Sequence, residues 1–144
     1  MKLTGFTDYT LRVLMYMALE PERLTTIRQI AVAYGISENH LMKVVHHLAK
    51  SGVVESVRGK GGGIRLALPP EKIRIGQVVR EAEGNQAIEC FSDHHETCRI
   101  TQRCKLPLAL SKAFAAFYDS LDQYTLADMV ERRQPLIRIL YAAG

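Results

Sequence analysis

The chain has 144 residues, of which 47% are hydrophobic and 24% charged, and its formal net charge is +4. These values are typical of one folded domain that is long enough to bury a core. No apolar run approaches the roughly 18 residues of a membrane span, and no apolar stretch of signal-peptide length follows the first residues. We therefore expect a cytoplasmic protein that is neither exported nor bound to a membrane.

The basic residues are concentrated in the first half of the chain. Residues 1–74 carry eleven Lys and Arg against six Asp and Glu, a net charge of +5. Residues 75–144 carry eight against nine, a net charge of −1. Because positive charge on one part of a protein favours a polyanionic partner, the first half is the better candidate for nucleic-acid binding.

Three helices are predicted in this first half. From about Thr7 to Leu19, apolar residues recur at helical spacing. Thr26 and Gln29 fit the capping box of a second, short helix, and Gly35 suits the left-handed end of that helix. Ser37 is well placed to cap the third helix.

The third predicted helix, from about Glu38 to Lys50, has two different faces. One face is an apolar stripe at i, i+3, i+4 and i+7 spacing, formed by Leu41, Val44, Val45 and Leu48. The opposite side carries hydrogen-bond donors for phosphates or base edges, namely Asn39, Lys43, His46, His47 and Lys50. A short helix, a glycine turn and a helix with a donor-rich outer face predict a helix-turn-helix.

A β-hairpin is predicted next, from the segments VVESV and IRLAL, with Ile64, Leu66 and Leu68 alternating in the second strand. The loop between them, RGKGGG at residues 58–63, has four glycines, which bury nothing and cost extra ordering entropy. We interpret it as a wing whose backbone approaches DNA closely; the alternative is a flexible hairpin tip. The phosphate-binding loop motif is absent.

The second half contains the longest periodic run. A short helix is predicted from about Ile75 to Ala82, and Pro107 suits the first turn of a long one. This long helix has an apolar seam formed by Leu106, Leu110, Ala113, Phe114, Phe117, Leu121 and Tyr124. The seam either packs on its own domain or pairs with the same helix of a second chain, and we favour pairing. The segment TLADMVE predicts one more helix, ended by Pro135.

The expected fold is therefore mainly α, a winged helix-turn-helix with a small β-hairpin wing and a long C-terminal dimerisation helix. We divide the chain into a DNA-binding domain at 1–82, a cysteine-bearing loop at 83–104, and a dimerisation helix with a C-terminal segment at 105–144.

All three cysteines, Cys90, Cys98 and Cys104, lie within fifteen residues. In a reducing compartment, clustered cysteines indicate metal or redox chemistry more often than disulfides. Three thiolates are one ligand short of a closed tetrahedral site. Because the chain has no Cys-x-x-Cys pair and no cofactor or oxyanion-hole motif, we do not expect an enzyme.

From about residue 2 to residue 136 the chain resembles the nitric-oxide-sensing repressors of the NsrR type. The resemblance rests on LTGFTDYTLRVLMYMA, VRGKGGGIRLALP, IRIGQVVRE, CRITQRCKLPLALSKA and LDQYTLADMVE. These repressors belong to a larger group of dimeric winged-helix regulators that includes the iron–sulfur cluster assembly regulator. The resemblance implies a homodimer that binds promoter DNA while it holds an iron–sulfur cluster, 4Fe-4S or 2Fe-2S, and releases the DNA when nitric oxide destroys the cluster.

The resemblance also implies the cluster ligands. Cys90, Cys98 and Cys104 of one subunit match the family's three thiolate ligands, and Asp8 matches an aspartate donated by the partner subunit. Asp8 lies four residues before Arg12, the spacing of an ordinary helix ion pair. Our hypothesis is that the Asp8 carboxylate exchanges between iron and Arg12, which couples cluster loss to a shift of the first helix. The alternative is a plain surface ion pair.

One spacing departs from the family. Seven residues separate Cys90 from Cys98, where four or five are typical. The longer segment contains His94 and His95, and either one is an alternative fourth ligand in a Cys3His zinc site or a histidine-ligated cluster. A zinc-stabilised or thiol-based redox-sensing regulator without a cluster is therefore the alternative function.

The expected DNA contacts follow from position. We expect three residues of the third helix to face the major groove: Asn39, His40 and Lys43. Arg28 and Ser37 are expected to contact phosphates. The wing residues Arg58, Lys60, Gly61 and Gly62 are expected at the minor groove or its phosphates.

Overall fold

The computed structural model describes residues 2–84, 99–100 and 102–143. In chain order, these residues form α1 (Gly5–Leu19), α2 (Ile27–Tyr34), α3 (Glu38–Lys50), β1 (Val54–Val57), β2 (Gly63–Leu66), a 3-10 turn (Pro70–Lys72), α4 (Ile75–Glu83), α5 (Leu106–Leu121), α6 (Leu126–Met129) and α7 (Arg133–Ala142). The expected fold class is confirmed: the protein is mainly helical with one antiparallel hairpin, and it is a winged helix. Within the described ranges, no helix is long and apolar enough to cross a membrane.

The ends of α2 are set by local side-chain chemistry, as the sequence predicts. The Thr26 hydroxyl accepts a hydrogen bond from the Gln29 backbone N–H at 3.2 Å, and the Gln29 side chain accepts one from the Thr26 N–H at 2.9 Å. Gly35 then adopts φ 65°, a left-handed conformation that favours glycine. The predicted capping box and helix end are both confirmed.

Helix α1 lies at the centre of the hydrophobic core. Val13, Leu14 and Leu19 of this helix are completely buried, and α1 contacts α3, α4, α6 and α7. The four predicted stripe residues of α3 are also buried: Leu41, Val44, Val45 and Leu48. Helix α3 is therefore held in place by packing within its own chain.

The hairpin is tied to the start of α2. Strands β1 and β2 pair antiparallel, with Val54 opposite Leu66. Thr25 extends this sheet by one bridge, since its N–H donates to the Ile64 carbonyl at 2.9 Å and its carbonyl accepts from the Ile64 N–H at 2.7 Å. The predicted alternation ends at Leu66, because Leu68 lies beyond the strand and is exposed.

The C-terminal end of the chain differs from the sequence prediction. Helix α6 ends at Met129, and Pro135 lies in the first turn of a further helix, α7. Backbone N–H groups in a first turn have no hydrogen-bond partner within the helix, so proline, which lacks an N–H, is tolerated there. Tyr141 of α7 packs on Tyr16, with ring centroids 5.3 Å apart, and its hydroxyl donates to Glu20 at 3.2 Å. The prediction that Pro135 ends a helix is therefore wrong, and the segment that follows packs against α1.

Helix α5 is the least covered of the long helices. Pro107 lies in its first turn as predicted, yet none of its residues from Leu106 to Leu121 is buried. The seam divides in two: Phe117 and Leu121 pack against the core of the chain, whereas Leu106 is 55% exposed. The exposed part is the N-terminal half of the helix.

Candidate nucleic-acid interface and cysteine site

The outer side of α3 presents free polar side chains. Asn39 and Lys43 are exposed, and they lie in the first two turns of the helix, opposite the buried stripe. The N-terminal residues of a recognition helix are the ones that contact base edges. The structure therefore leaves both side chains available for such contacts.

The histidines of α3 are not equivalent. His40 stacks on Tyr9 of α1, with ring centroids 6.1 Å apart and planes 30° apart. His47 packs edge-on against Phe6 at 5.3 Å and is half-buried, whereas His46 is exposed. The periodicity of α3 predicts His47 among the outward-facing donors, but its ring contacts α1 instead. Two aromatic contacts thus connect the beginning of α1 to α3.

The turn before α3 leaves its polar groups free. Ser37 occupies the N-cap position, but its hydroxyl makes no capping hydrogen bond, so the predicted side-chain cap is wrong. Both Ser37 and Arg28 are exposed. An uncapped serine at a helix N-terminus presents its hydroxyl and the helix N–H groups outward, an arrangement that suits a phosphate.

The wing loop exposes its two basic residues, Arg58 and Lys60. The backbone conformation of this loop itself requires glycine at two positions. Gly61 has φ +78°, and a Cβ at Gly62 would collide with the Val57 carbonyl oxygen. The expected reason for these glycines is close approach of DNA; the structure shows that the tight hairpin turn already requires them.

Asp8 and Arg12 form the predicted ion pair on α1. Arg12 Nη2 lies 3.0 Å from Asp8 Oδ2, Arg12 Nε donates to Asp8 Oδ1 at 3.2 Å, and the side chains are 43% and 49% exposed. The guanidinium carbon also lies 5.8 Å from the centre of the Tyr34 ring. Burial raises the pKa of Tyr34 to about 12, so this neighbour of Arg12 stays uncharged. The pair therefore joins the start of α1 to the end of α2.

A second carboxylate, Glu83 at the end of α4, holds the N-terminus of α1. Its Oε1 accepts hydrogen bonds from the Thr7 hydroxyl at 2.6 Å, the Thr4 N–H at 2.7 Å and the Thr4 hydroxyl at 3.1 Å. Burial alone raises the pKa of the Glu83 carboxyl, but the three donors outweigh it and lower the pKa below its usual value. No local sequence pattern predicts the role of Glu83, because its partners lie 76 and 79 residues away.

Among the three cysteines, Cys104 lies in the described part of the chain. It is half-buried, forms no disulfide and lies two residues before α5. Cys90, Cys98 and the alternative ligands His94 and His95 lie outside the described residues. In the described ranges, no group of three or more His, Cys, Asp or Glu is arranged to hold a metal ion. Cys104 fits a thiolate-bound group as one ligand, because it is not engaged in a disulfide and thiolates are the usual ligands of iron–sulfur clusters.

Comparison with known proteins identifies the class of regulator. The Rrf2 family model, described as iron-dependent transcriptional regulator, matches residues 3–132. The chain is similar to the structure of T. potens IscR, with a TM-score of 0.73 and 28% identity, covering 94% of this chain and 90% of that one.

Two further structures have comparable similarity. CymR (YrzC), the global cysteine regulator of B. subtilis, has a TM-score of 0.70 and 27% identity, covering 92% of this chain and 98% of that one. The oxidized form of Staphylococcus aureus CymR has the same TM-score of 0.70 and 27% identity, covering 91% and 97%.

Members of the matching family are DNA-binding transcriptional regulators rather than enzymes, and they typically dimerise. The winged helix, the exposed polar side of α3 and the exposed basic wing agree with that activity. Because the match extends over most of its length, the chain belongs to the Rrf2 family of transcriptional regulators.

Proposed function

We propose that this protein is a homodimeric transcriptional repressor of the cytoplasm whose operator binding is switched by an iron–sulfur cluster sensitive to nitric oxide. The observation that carries the proposal is the position of Asp8. This residue pairs with Arg12, and the next residue, Tyr9, stacks on His40 of α3. A shift of Asp8 therefore moves its neighbour Tyr9, which contacts His40 on the helix that we expect to enter DNA.

In this proposal, Cys90, Cys98 and Cys104 of one subunit hold the cluster, with Asp8 of the partner subunit as the fourth ligand. A bound cluster supplies iron sites that react with nitric oxide. A carboxylate is a harder ligand than thiolate and binds iron of such a cluster less strongly. When Asp8 is free of iron, its carboxylate pairs with Arg12, as in the structure described here.

The proposed DNA interface combines α3, the turn before it and the wing. Asn39, His40 and Lys43 face the major groove, and Arg28 and Ser37 contact phosphates. The wing contributes Arg58, Lys60, Gly61 and Gly62 at the minor groove. Support comes from exposure, since all of these residues are exposed except Gly62, which is half-buried. The exposed N-terminal half of α5 supports pairing of two chains through this helix.

The test is made on protein purified without oxygen. We expect iron and acid-labile sulfide, a brown colour that changes on adding nitric oxide, and loss of promoter binding in parallel. Cys104→Ser is expected to lose the cluster, whereas Ser111→Ala on the exposed side of α5 serves as the matched control. A colourless protein that contains zinc and no sulfide would overturn the nitric-oxide switch and move the fourth ligand to His94 or His95.

A second candidate, a thiol-based regulator without a cluster, is favoured by two observations. The chain matches the oxidized form of Staphylococcus aureus CymR over 91% of its length, and Cys104 is a half-buried free thiol. In that case the protein is free of iron and sulfide, and peroxide changes its DNA binding. Thiol titration before and after peroxide, with DNA binding measured on the same samples, distinguishes the two candidates.

A further inference from the structure

The outer side of α3 contains one large apolar side chain that the core does not use. Met42 is 56% exposed. It lies three residues after Asn39 and four before His46, a spacing that places residues on the same side of a helix. Met42 therefore stands among polar side chains that are free to donate hydrogen bonds.

Packing within the chain does not explain this methionine. The apolar stripe of α3 is complete without it, because Leu41, Val44, Val45 and Leu48 are all buried. Met42 is also absent from the described residues that pack against the core. Its side chain is thus available for a contact outside the chain.

The surroundings of Met42 identify the kind of contact. Methionine is enriched in protein interfaces, but lysine is depleted at their centres, and Lys43 directly follows Met42, which disfavours a protein partner for this patch. Duplex DNA suits it, since the first half of the chain has a net charge of +5. In the major groove, the apolar group that a base pair presents is the 5-methyl group of thymine.

We propose that Met42 is a specificity-determining residue that packs against a thymine methyl group in each operator half-site. The inference rests on the proposed entry of α3 into the major groove. Asn39 and Lys43 supply polar contacts on either side, while Met42 distinguishes thymine from cytosine by apolar contact. Because Met42 is uncharged, its contribution does not depend on salt concentration.

The test removes the methyl group without changing base pairing. A duplex that binds the full-length protein tightly is first selected from a randomised DNA pool, and each thymidine is then replaced by deoxyuridine. We expect replacement at one position of each half-site to weaken binding by about four-fold per methyl group, the typical effect of one buried CH2 unit. Met42→Ala is expected to abolish this difference at the same position and to leave the salt dependence unchanged.

Two control variants separate this effect from damage to the protein. Met42→Leu keeps an apolar side chain and is expected to retain the preference for thymine. Ile139→Ala truncates an equally isolated side chain, 68% exposed on α7, and is expected to bind like the wild type. If Met42→Ala keeps the full preference for thymidine over deoxyuridine at every position, the inference is overturned while DNA binding stands. If no duplex can be selected from the pool, both the proposed DNA binding and this inference are overturned.

Discussion

Helices α3 and α5 have similar apolar seams, but the chain covers the seam of α3 along its whole length and that of α5 only towards its C-terminal end. The seam of α3 is buried by the rest of the chain at all four stripe positions. No residue of α5 from Leu106 to Leu121 is buried, although its seam is longer. Periodicity thus predicts that a helix face will be covered, but it does not say whether the same chain or a second copy covers it.

The difference has a functional meaning. In the proposed function, α3 is the recognition helix, and burial within one chain fixes its position relative to the rest of the domain. In the same proposal, α5 is the dimerisation helix, and its exposed N-terminal half stays available for a second subunit. We therefore expect substitutions in the two seams to have different consequences, one for unfolding and the other for association.

The largest effect is expected from Leu41→Ala in the buried seam of α3. Leu41 is completely buried, so truncation leaves a cavity and lowers the free energy of unfolding by about 3 kcal/mol. Chemical denaturation followed by circular dichroism measures the change, with the exposed Met42→Ala as the neighbouring control. A loss of less than about 1 kcal/mol in unfolding free energy would mean that burial of the apolar stripe does not hold α3 in place.

A smaller effect, on a different quantity, is expected from Leu106→Asp in the exposed part of the α5 seam. Placing an unpaired carboxylate in an apolar dimer interface costs about 2 kcal/mol, which weakens dimerisation by roughly 30-fold. Sedimentation equilibrium measures the change, and Ser111→Asp, on another side of the same helix, is the matched control. A variant that dimerises like the wild type would place the interface elsewhere.

Next in size is Glu83→Ala, which removes the acceptor of three hydrogen bonds at the start of α1. We expect a loss of about 1.5 kcal/mol in unfolding free energy near neutral pH, whereas Glu81→Ala, whose carboxylate accepts from Gln77 on the same helix, costs less. Folding lowers the pKa of Glu83, so Glu83 stabilises the folded protein fully at pH values above the ordinary pKa of a glutamate. This stabilisation disappears as the pH falls through the lowered pKa of the folded state. Unfolding curves of wild type and Glu83→Ala, measured at pH 7 and at successively lower pH, test this. A difference in unfolding free energy between the two proteins that grows on acidification would contradict it.

The smallest expected effect is that of Lys43→Ala on the exposed side of α3. Loss of one cation from the DNA interface weakens binding by about five-fold at roughly 0.15 M salt, and it lowers the slope of log affinity against log salt by about one. Titrations at several salt concentrations measure both, with Lys112→Ala on α5 as the control for net charge. An unchanged slope would remove Lys43 from the interface.

The features predicted correctly from sequence depend on neighbouring residues. The capping box of Thr26 and Gln29 and the left-handed Gly35 are set within ten residues of chain, so a local pattern is sufficient. The ion pair of Asp8 and Arg12 is also local, since one helical turn separates them. The buried stripe of α3 follows from helical periodicity.

The features that were missed depend on tertiary contacts. Glu83 meets Thr4 and Thr7 across the fold, and no spacing rule joins residues so far apart. His47 turns to Phe6 because α1 lies beside α3, a contact that the sequence of α3 alone does not contain. The cysteine ligands and the DNA contacts stay predictions, because they concern a bound group and a partner molecule.

The position of α7 has a consequence for how the protein folds during synthesis. Tyr141 contacts Glu20, 121 residues earlier in the chain, and its ring lies 4.9 Å from the Arg23 guanidinium carbon. At a translation rate of about 5–20 residues per second, residues between Glu20 and Tyr141 take roughly 6–24 s to emerge. Throughout that interval Tyr16 lacks its contact with the Tyr141 ring, so the packing of α1 is completed only after α7 has been synthesised.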